Sequence, residues 1–500
     1  MKIVFAYHAF QQEYGLFGHY AKKNSTWSPL NIALLSAICE QHGYEAEIID
    51  AEALGINNRE LVRRAVASKP DVIGLTAYSP FFHLVSDIAK DVKVINPDIP
   101  VIVGGPHITI MKEQAFKAEF DFAFMGEAER SLPEFLAELG SGRDFAKVGG
   151  LIYRQNGQTI STGDPAWLTE VSMRGRDLGK WYPLDELPLP ARHLLPMDRY
   201  FLGTTQTGRS HFTSIQTFRG CPWKCNFCAS DAIKTTRVIM KSPRRVVEEM
   251  AQIKANWPFI SHLYIVDDVL LLWPQHIREI ADRMDAEGLK FTFEGSTRAN
   301  TVTEELIKRL ARSGLVRLSF GLETIDPVMR VTMGKKVNIA DYPRSNKICA
   351  DNGVEAMNSL MIGLPGETRE TIRATITWVK KQKDIKQANV AIAVPYPGTE
   401  FYDQALAGTH GVELLTDDFS AYLRYGNSVT RVNGMEPKEL ISWQNWAFIQ
   451  IYLLAPHRWW PVIRKHGFVG FLLQFIRLFR LVKDLLRDRC KSFAYPGTPI

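Results

Sequence analysis

Short β-branched runs alternate with amphipathic stretches through the first 140 residues. Apolar runs at 2–7, 45–50, 71–76, 100–104 and 121–125 predict strands. Between them, helical spacing of apolar positions at 29–42, 58–69, 81–94 and 130–139 predicts helices. Strands alternating with helices of this length imply a doubly wound parallel sheet, whose ligands bind beyond the carboxyl ends of the strands. The alternation resumes further on. Strands are expected at 214–218, 262–266, 290–294, 316–321, 354–362 and 388–394, and helices at 242–256, 274–287, 303–314, 339–352 and 369–382. Six consecutive β/α units imply a curved parallel sheet, a partial (β/α)6 barrel with its active residues at the C-terminal strand ends.

The pattern is different between the two halves and after them. Residues 141–170 carry Gly, Asn and Asp punctuation with Asn156-Gly157 as the turn of a small hairpin. The proline-punctuated stretch LDELPLPARHLLPMDRY then reads as an extended connector over the surface. Beyond residue 405 the chain reads as mainly helical. At 468–489, Phe468, Phe471, Leu472, Phe475, Phe479 and Val482 recur at helical spacing, with Arg477, Arg480, Lys483 and Arg487 elsewhere around the helix. Such a helix either packs over the barrel mouth or makes a peripheral membrane contact. The expected fold class is α/β, with domains at 1–140 (doubly wound), 141–212 (connector with hairpin), 213–405 (partial barrel) and 406–500 (helical).

Composition narrows the function classes. The 500 residues are 46% hydrophobic and 23% charged with a net charge of +6, a folded chain of two to three domains. The basic residues are spread except near the C-terminus, and no RNA-binding module is recognisable, so nucleic acid is not the expected partner. The N-terminus lacks the apolar core of a signal peptide, and no uncharged apolar run approaches the roughly 18 residues a spanning helix needs. The expected compartment is the cytoplasm. Of six cysteines, Cys39, Cys349 and Cys490 are scattered, whereas Cys221, Cys225 and Cys228 crowd one loop. In a reducing compartment that crowding reads as metal ligation, not disulfides.

The loop spells C-x-x-x-C-x-x-C directly after the first barrel strand. Three thiolates so spaced can ligate three irons of a 4Fe–4S cubane and leave the fourth open to a small molecule. Zinc would want a fourth ligand, for which His211 is the nearest histidine; a ferredoxin cluster would want a fourth cysteine, for which Cys349 is the candidate. Other barrel strand ends carry Asp267, Asp268, Glu294, Arg298, Glu323 and the run GLPGET at 363–368, partners for charged and hydrogen-bonding groups of a ligand. In the N-terminal sheet the strand ends carry Thr76, Tyr78 and Ser79, then Gly104, Gly105, Pro106 and His107, then Gly126 and Glu127. Small residues there let a backbone approach a bulky ligand, or simply make tight turns.

These runs resemble a known family. RGCPWKCNFC, VDDVLLL, SFGLETID, MIGLPGET and VPYPGTEFYDQA look like successive motifs of radical S-adenosylmethionine (SAM) enzymes, and VIVGGPHIT and MGEAE like loops of the cobalamin-binding domains that precede many of them. By that resemblance Cys221, Cys225 and Cys228 hold the 4Fe–4S cluster that cleaves SAM. Phe227 lies against adenine, Arg298 and Glu323 lie near the methionine or ribose, and Asp267 and Asp268 face the substrate cavity. Thr76, Tyr78, Ser79, Gly104, Gly105, Gly126 and Glu127 would meet cobalamin. The family's D-x-H-x-x-G motif for a cobalt ligand is absent, although His8 and His19 lie near its place. The resemblance implies a cobalamin-dependent methyltransferase acting on an unactivated carbon or phosphorus of a small, rather hydrophobic metabolite. It also implies an external electron donor such as flavodoxin or ferredoxin. The alternatives are oxidative cyclisation or rearrangement, as in the anaerobic magnesium-protoporphyrin ester cyclases, and a non-catalytic scaffold.

Overall fold

The computed structural model describes residues 1–14, 25–163, 183–204, 208–234 and 238–459. The first sheet contains β1 (Lys2–Tyr7), β2 (Glu45–Asp50), β3 (Val72–Thr76), β4 (Val101–Gly104), β5 (Phe122–Phe124), β6 (Leu151–Gln155) and β7 (Gln158–Ser161). Their order is β2-β1-β3-β4-β5-β6-β7, parallel through β5. The order reverses at β1 and β3, so the crevice for a ligand opens beyond Tyr7 and Thr76. Both faces are buried, as the near-continuous apolar runs require. Ile3 and Phe5 of β1 join one core, Val4 and Ala6 the other.

The predicted hairpin forms, with Asn156 and Gly157 at φ 51° and 77°, the left-handed pair of a type I′ turn. It extends the first sheet: β6 pairs antiparallel with β5, carrying that sheet to Ser161. The connector is also more deeply placed than its prolines imply. Arg192 is fully buried and ion-paired to Glu249 at 2.6 Å, with Lys241 on the other carboxylate oxygen at 2.7 Å. Burial alone would raise Glu249, but the two cations hold it down at about 2. Tyr200, also fully buried, donates to Asp50 of the first sheet at 2.7 Å. The segment is therefore wedged between the halves, anchored by polar side chains that hydropathy alone places outside.

The second sheet contains β8 (Phe201–Thr204), β9 (Gly208–Ile215), β10 (His262–Ile265), β11 (Thr292–Thr297), β12 (Leu315–Glu323), β13 (Glu355–Ile362) and β14 (Gln387–Ile392). Strands β9 to β14 run parallel, each neighbouring pair linked by a helical crossover. Those helices are Pro243–Asn256, Pro274–Ala286, Glu304–Arg312, Asp341–Asp351 and Arg369–Lys381, all within two residues of expectation. The first strand differs: it ends at Ile215, because the Asp267 carboxylate draws Thr217 and Phe218 out of the sheet. Two antiparallel strands complete the sheet. β8 pairs with β9, and Ser25–Thr26, from the first half of the chain, pairs with β8. After residue 405 a short ladder of Val412–Leu414 with Thr430–Val432 precedes the helix Pro437–Phe448. The helix expected at 468–489, with its membrane or barrel contact, lies outside the described residues, as do His19 and Cys490. Among the described residues no helix is long and apolar enough to cross a membrane.

Candidate functional site

The cysteine loop leaves the carboxyl end of β9 and is fixed from several sides. The short strand Phe218–Arg219 pairs with Ile239–Met240. The Cys228 amide donates to Cys225 O at 2.9 Å, the Asn226 amide to Met333 O at 3.2 Å, and the Phe401 amide to Asn226 O at 2.9 Å. Gly334, at φ +68°, sits where a Cβ would overlap Lys224 O, so the segment after β12 can press on the loop only as glycine. All three cysteines are free thiols, Cys228 exposed and the others partly so. Burial raises Cys221 and Cys225, while Lys335 and Arg298 pull Cys225 the other way, towards the thiolate a metal needs. Among the described residues no three His, Cys, Asp or Glu side chains converge on a single ion. A cubane asks for a different geometry, one thiolate per iron, and the spaced, cation-flanked loop fits it. Cys349 lies on the buried face of the helix Asp341–Asp351, and burial pushes its thiol up to about 12.

The neighbouring strand ends converge on this loop unevenly. The Arg298 guanidinium lies 4.1 Å over the Trp223 ring, donates to Lys336 O at 3.1 Å, and leaves its buried Nε without a partner. That unpaired donor fits a carboxylate ligand such as the amino-acid end of SAM. Glu323 ends β12 at a register shift with φ +62°, a conformation costly for a non-glycine residue. The twist turns its carboxylate back over Gly321, where any Cβ would strike it, and onto the buried Lys335 ammonium at 3.1 Å. Burial would lower Lys335, but Glu323, Tyr342 and Cys225 outweigh it and hold the ammonium above its ordinary range. Phe227 is half-buried against the core beside the cysteines. Asp268 accepts from Ser230 at 3.4 Å.

Asp267 does not face the cavity. It is buried and accepts from the Thr217 amide at 2.8 Å, the Thr217 hydroxyl and the Phe218 amide at 3.2 Å. A strand-end carboxylate here shapes the loop, not the ligand. Burial raises its pKa to about 6, against those hydrogen bonds. Its folded value thus exceeds the unfolded one of about 3.9, so its contribution to stability is complete below pH ~4 and lost as pH rises through about 6. Asp267→Asn should flatten that decline, up to about 3 kcal/mol, in urea unfolding measured from pH 4 to 7. An unaltered pH slope in the variant would refute this.

In the first sheet the crevice holds two buried polar atoms without partners, Thr76 Oγ1 after β3 and His8 Nε2 after β1. Tyr78, two residues after β3, keeps 36% of its surface open. These features fit a bulky ligand with hydrogen-bonding groups. Three expected residues are otherwise engaged, Glu127 by Arg219 at 2.9 Å. Ser79 Oγ lies 3.0 Å from His107 Nδ1. Gly105, at φ +101°, is demanded by the Ala77 backbone, 2.8 Å from where its Cβ would lie. Gly104 would meet only ordinary contacts, and the Gly126 amide donates to Thr109 at 3.0 Å.

Arg219 joins the two halves. Two residues before Cys221, it is buried and ion-paired to Glu127 at 2.9 Å and Glu129 at 2.7 Å, both from the loop after β5. The spacing of charges along the chain gave no sign of this joint, since its partners lie 90 residues apart.

A second feature missed at the motif level is the polar face of the barrel sheet. In register across it run Tyr264, Glu294, Arg317 and Glu355, then Ser296, Ser319 and Met357, then Gly321, Ser359 and Asn389. The alternate residues Phe293, Leu318, Phe320, Leu360 and Val390 are buried on the opposite, helix-covered face. Glu294 and His262 are themselves buried, 3.6 Å apart. Strict alternation in VRLSFGL was the available signal.

Comparisons with known proteins agree with this geometry. Residues 20–136 match the B12 binding domain and residues 215–379 the radical SAM superfamily. The chain is 28% identical over 465 residues to an uncharacterised methyltransferase of Pyrococcus horikoshii, covering 93% of this chain and 94% of that one. It is 26% identical over 416 residues to the hopanoid C-3 methylase of Methylococcus capsulatus, covering 81% and 72%. The fold is like that of the radical SAM methyltransferase TsrM of Kitasatospora setae, solved with cobalamin and a 4Fe–4S cluster bound. The TM-score is 0.68 at 18% identity, over 91% of this chain and 88% of that one.

Proposed function

We propose that this chain, a radical SAM enzyme with an N-terminal B12-binding domain, is a cobalamin-dependent methyltransferase acting on a small metabolite. The observation that carries the reading is the Arg219 joint, which ties the cysteine loop to the strand-end loop of the B12-binding domain through one buried ion-pair cluster. Bound on the two sides of that joint, a 4Fe–4S cluster with SAM would supply a 5′-deoxyadenosyl radical and cobalamin a transferable methyl group. Cys221, Cys225 and Cys228 would hold the cluster. Arg298, stacked on Trp223, offers its unpaired Nε to the SAM carboxylate, and the Glu323–Lys335 pair offers a carboxylate to the SAM amino group or ribose. Phe227 supports the adenine. Thr76, Tyr78 and the Gly104 and Gly126 loops would line the cobalamin crevice, with His8 beneath β1's exit.

The polar barrel face bears on the substrate. A face carrying Ser296, Arg317, Ser319, Ser359 and Asn389 suits a metabolite with hydrogen-bonding or ionic groups better than a wholly apolar one. The hydrophobic substrate expected from the sequence rested on the tail beyond residue 459.

The experiment is product analysis of anaerobically reconstituted protein supplied with cobalamin, SAM and titanium(III) citrate. Methyl transfer predicts S-adenosylhomocysteine as well as 5′-deoxyadenosine. 5′-Deoxyadenosine alone would favour cyclisation or rearrangement, and neither product would leave a scaffold.

A further inference from the structure

The barrel's outer surface beside the cysteine loop carries an apolar patch around the exposed Val328 and Val331. In the helix Pro327–Thr332, Met329 and Arg330 are buried, whereas Val328 and Val331 are 72% and 82% exposed. The patch continues into a depression of about 350 Å³ lined by Ile325, Val331, Lys336 and Val337, with Lys335 on the wall nearer Glu323. Ile325 also borders a second, of about 570 Å³, lined by Arg373, Trp378 and Lys381. Contiguous apolar surface rimmed by charge marks an interaction site more often than scattered exposed valines do.

We propose that this surface docks a small acidic one-electron carrier protein that reduces the cluster, an inference that rests on the radical SAM reading. The first argument is charge. Lys336, Arg373 and Lys381 rim the groove against Glu370, whereas Arg369 is paired to Glu439 at 2.6 Å and Lys224 of the cysteine loop to Asp231 at 3.3 Å. A basic rim on a chain of net charge +6 steers an acidic partner and repels a basic one. The chain's own sequence from Arg458 to Lys491 is strongly basic, so charge disfavours it as the cover.

The second argument is position. Thr332 and Met333 follow Val331 directly, and their carbonyls accept from the side chain and amide of Asn226, the residue after Cys225. A cofactor seated against Val331 is therefore coupled to the cluster loop through two hydrogen bonds, without crossing the substrate face. One electron passes from the reduced carrier to the oxidised cluster. The carrier is oxidised by one electron, the cluster is reduced by one, and no atom moves.

The test compares two reductants, reduced flavodoxin as the acidic carrier and titanium(III) citrate, by the rate of 5′-deoxyadenosine formation. The variant Val328→Glu/Val331→Glu should lose about tenfold or more with flavodoxin and keep the wild-type rate with titanium(III) citrate. Val331→Lys, equally polar, should retain the flavodoxin rate, and raised salt should slow wild type with flavodoxin only. Equal flavodoxin rates in wild type and the double glutamate variant would overturn the proposal. So would a parallel loss with both reductants, or sedimentation showing that the patch joins two copies of this chain. Wild-type protein inert even to titanium(III) citrate would instead sink the radical SAM reading beneath it.

Discussion

Replacing any one of Cys221, Cys225 or Cys228 by alanine is expected to bring 5′-deoxyadenosine formation to background while the protein stays folded. The loop around the thiols is built from other residues: Asn226 is tied to Met333 and Phe401, and Asp267 holds the loop's approach. None of the three side chains is deeply buried, so each truncation should cost stability no more than about 0.5–1 kcal/mol. A cubane left with two protein thiolates would lose one of the bonds that anchor it, and a cluster that is not retained could not supply the electron for SAM cleavage. Iron and sulfide content, thermal unfolding and product formation measured together separate loss of cluster from loss of fold. Cys349→Ala is the control. It removes a buried, protonated thiol outside the cysteine loop and should leave iron content at the wild-type level. Activity surviving in any of the first three, or iron lost in the last, would overturn the ligand set.

Arg219→Ala is expected to be strongly destabilising. The guanidinium is buried, and its burial would lower its pKa were it not for Glu129 and Glu127, which raise it instead. Removing it leaves two carboxylates in a desolvated cleft, Glu129 at 8% exposure, with like charges facing each other. Breaking a buried ion pair from one side costs about 3–5 kcal/mol. The same deletion should unhitch the loop after β5 from the cysteine loop. The expected signature is therefore double: a lowered urea midpoint, and weaker retention of cobalamin after desalting with cluster content kept. Arg219→Lys should recover part of both, because it restores the charge without the planar guanidinium whose Nη1 meets both carboxylates while Nε donates to Gln216. Wild-type stability in Arg219→Ala would show that water reaches the pair and the joint is loose.

The α/β order was legible because its signal is local. Apolar period and strand–helix alternation set element type within a few residues, as at Glu304–Arg312 and Glu355–Ile362. The cysteine loop was legible for the same reason, its spacing being contiguous. What was not legible involves partners far apart in sequence. Nothing in FAFMGEAE announces Arg219, and nothing near Arg192 announces Glu249. Asp267 was misread because a carboxylate after a strand looks alike whether it meets a ligand or two amides. Glu323 was legible as a strand-end carboxylate, but its left-handed backbone was not, since it arises at the register shift beside Gly321. The barrel's polar face stood in the alternation of VRLSFGL, where attention to strand ends passed over strand interiors.

The pairing of Ser25–Thr26 with Leu202 and Phe201 has a consequence for biosynthesis. About 175 residues separate the partners, so at 5–20 residues per second the early segment waits roughly 9–35 s for its strand to be made. The first sheet can close through β7 in that interval, yet the barrel's edge cannot. A nascent chain at this stage exposes a bare strand edge at the moment the barrel begins to appear, a template for pairing with the wrong neighbour. A barrel expressed as an independent unit would inherit that bare edge permanently, and exchanging the first-sheet module between relatives requires carrying these two residues with the barrel they complete.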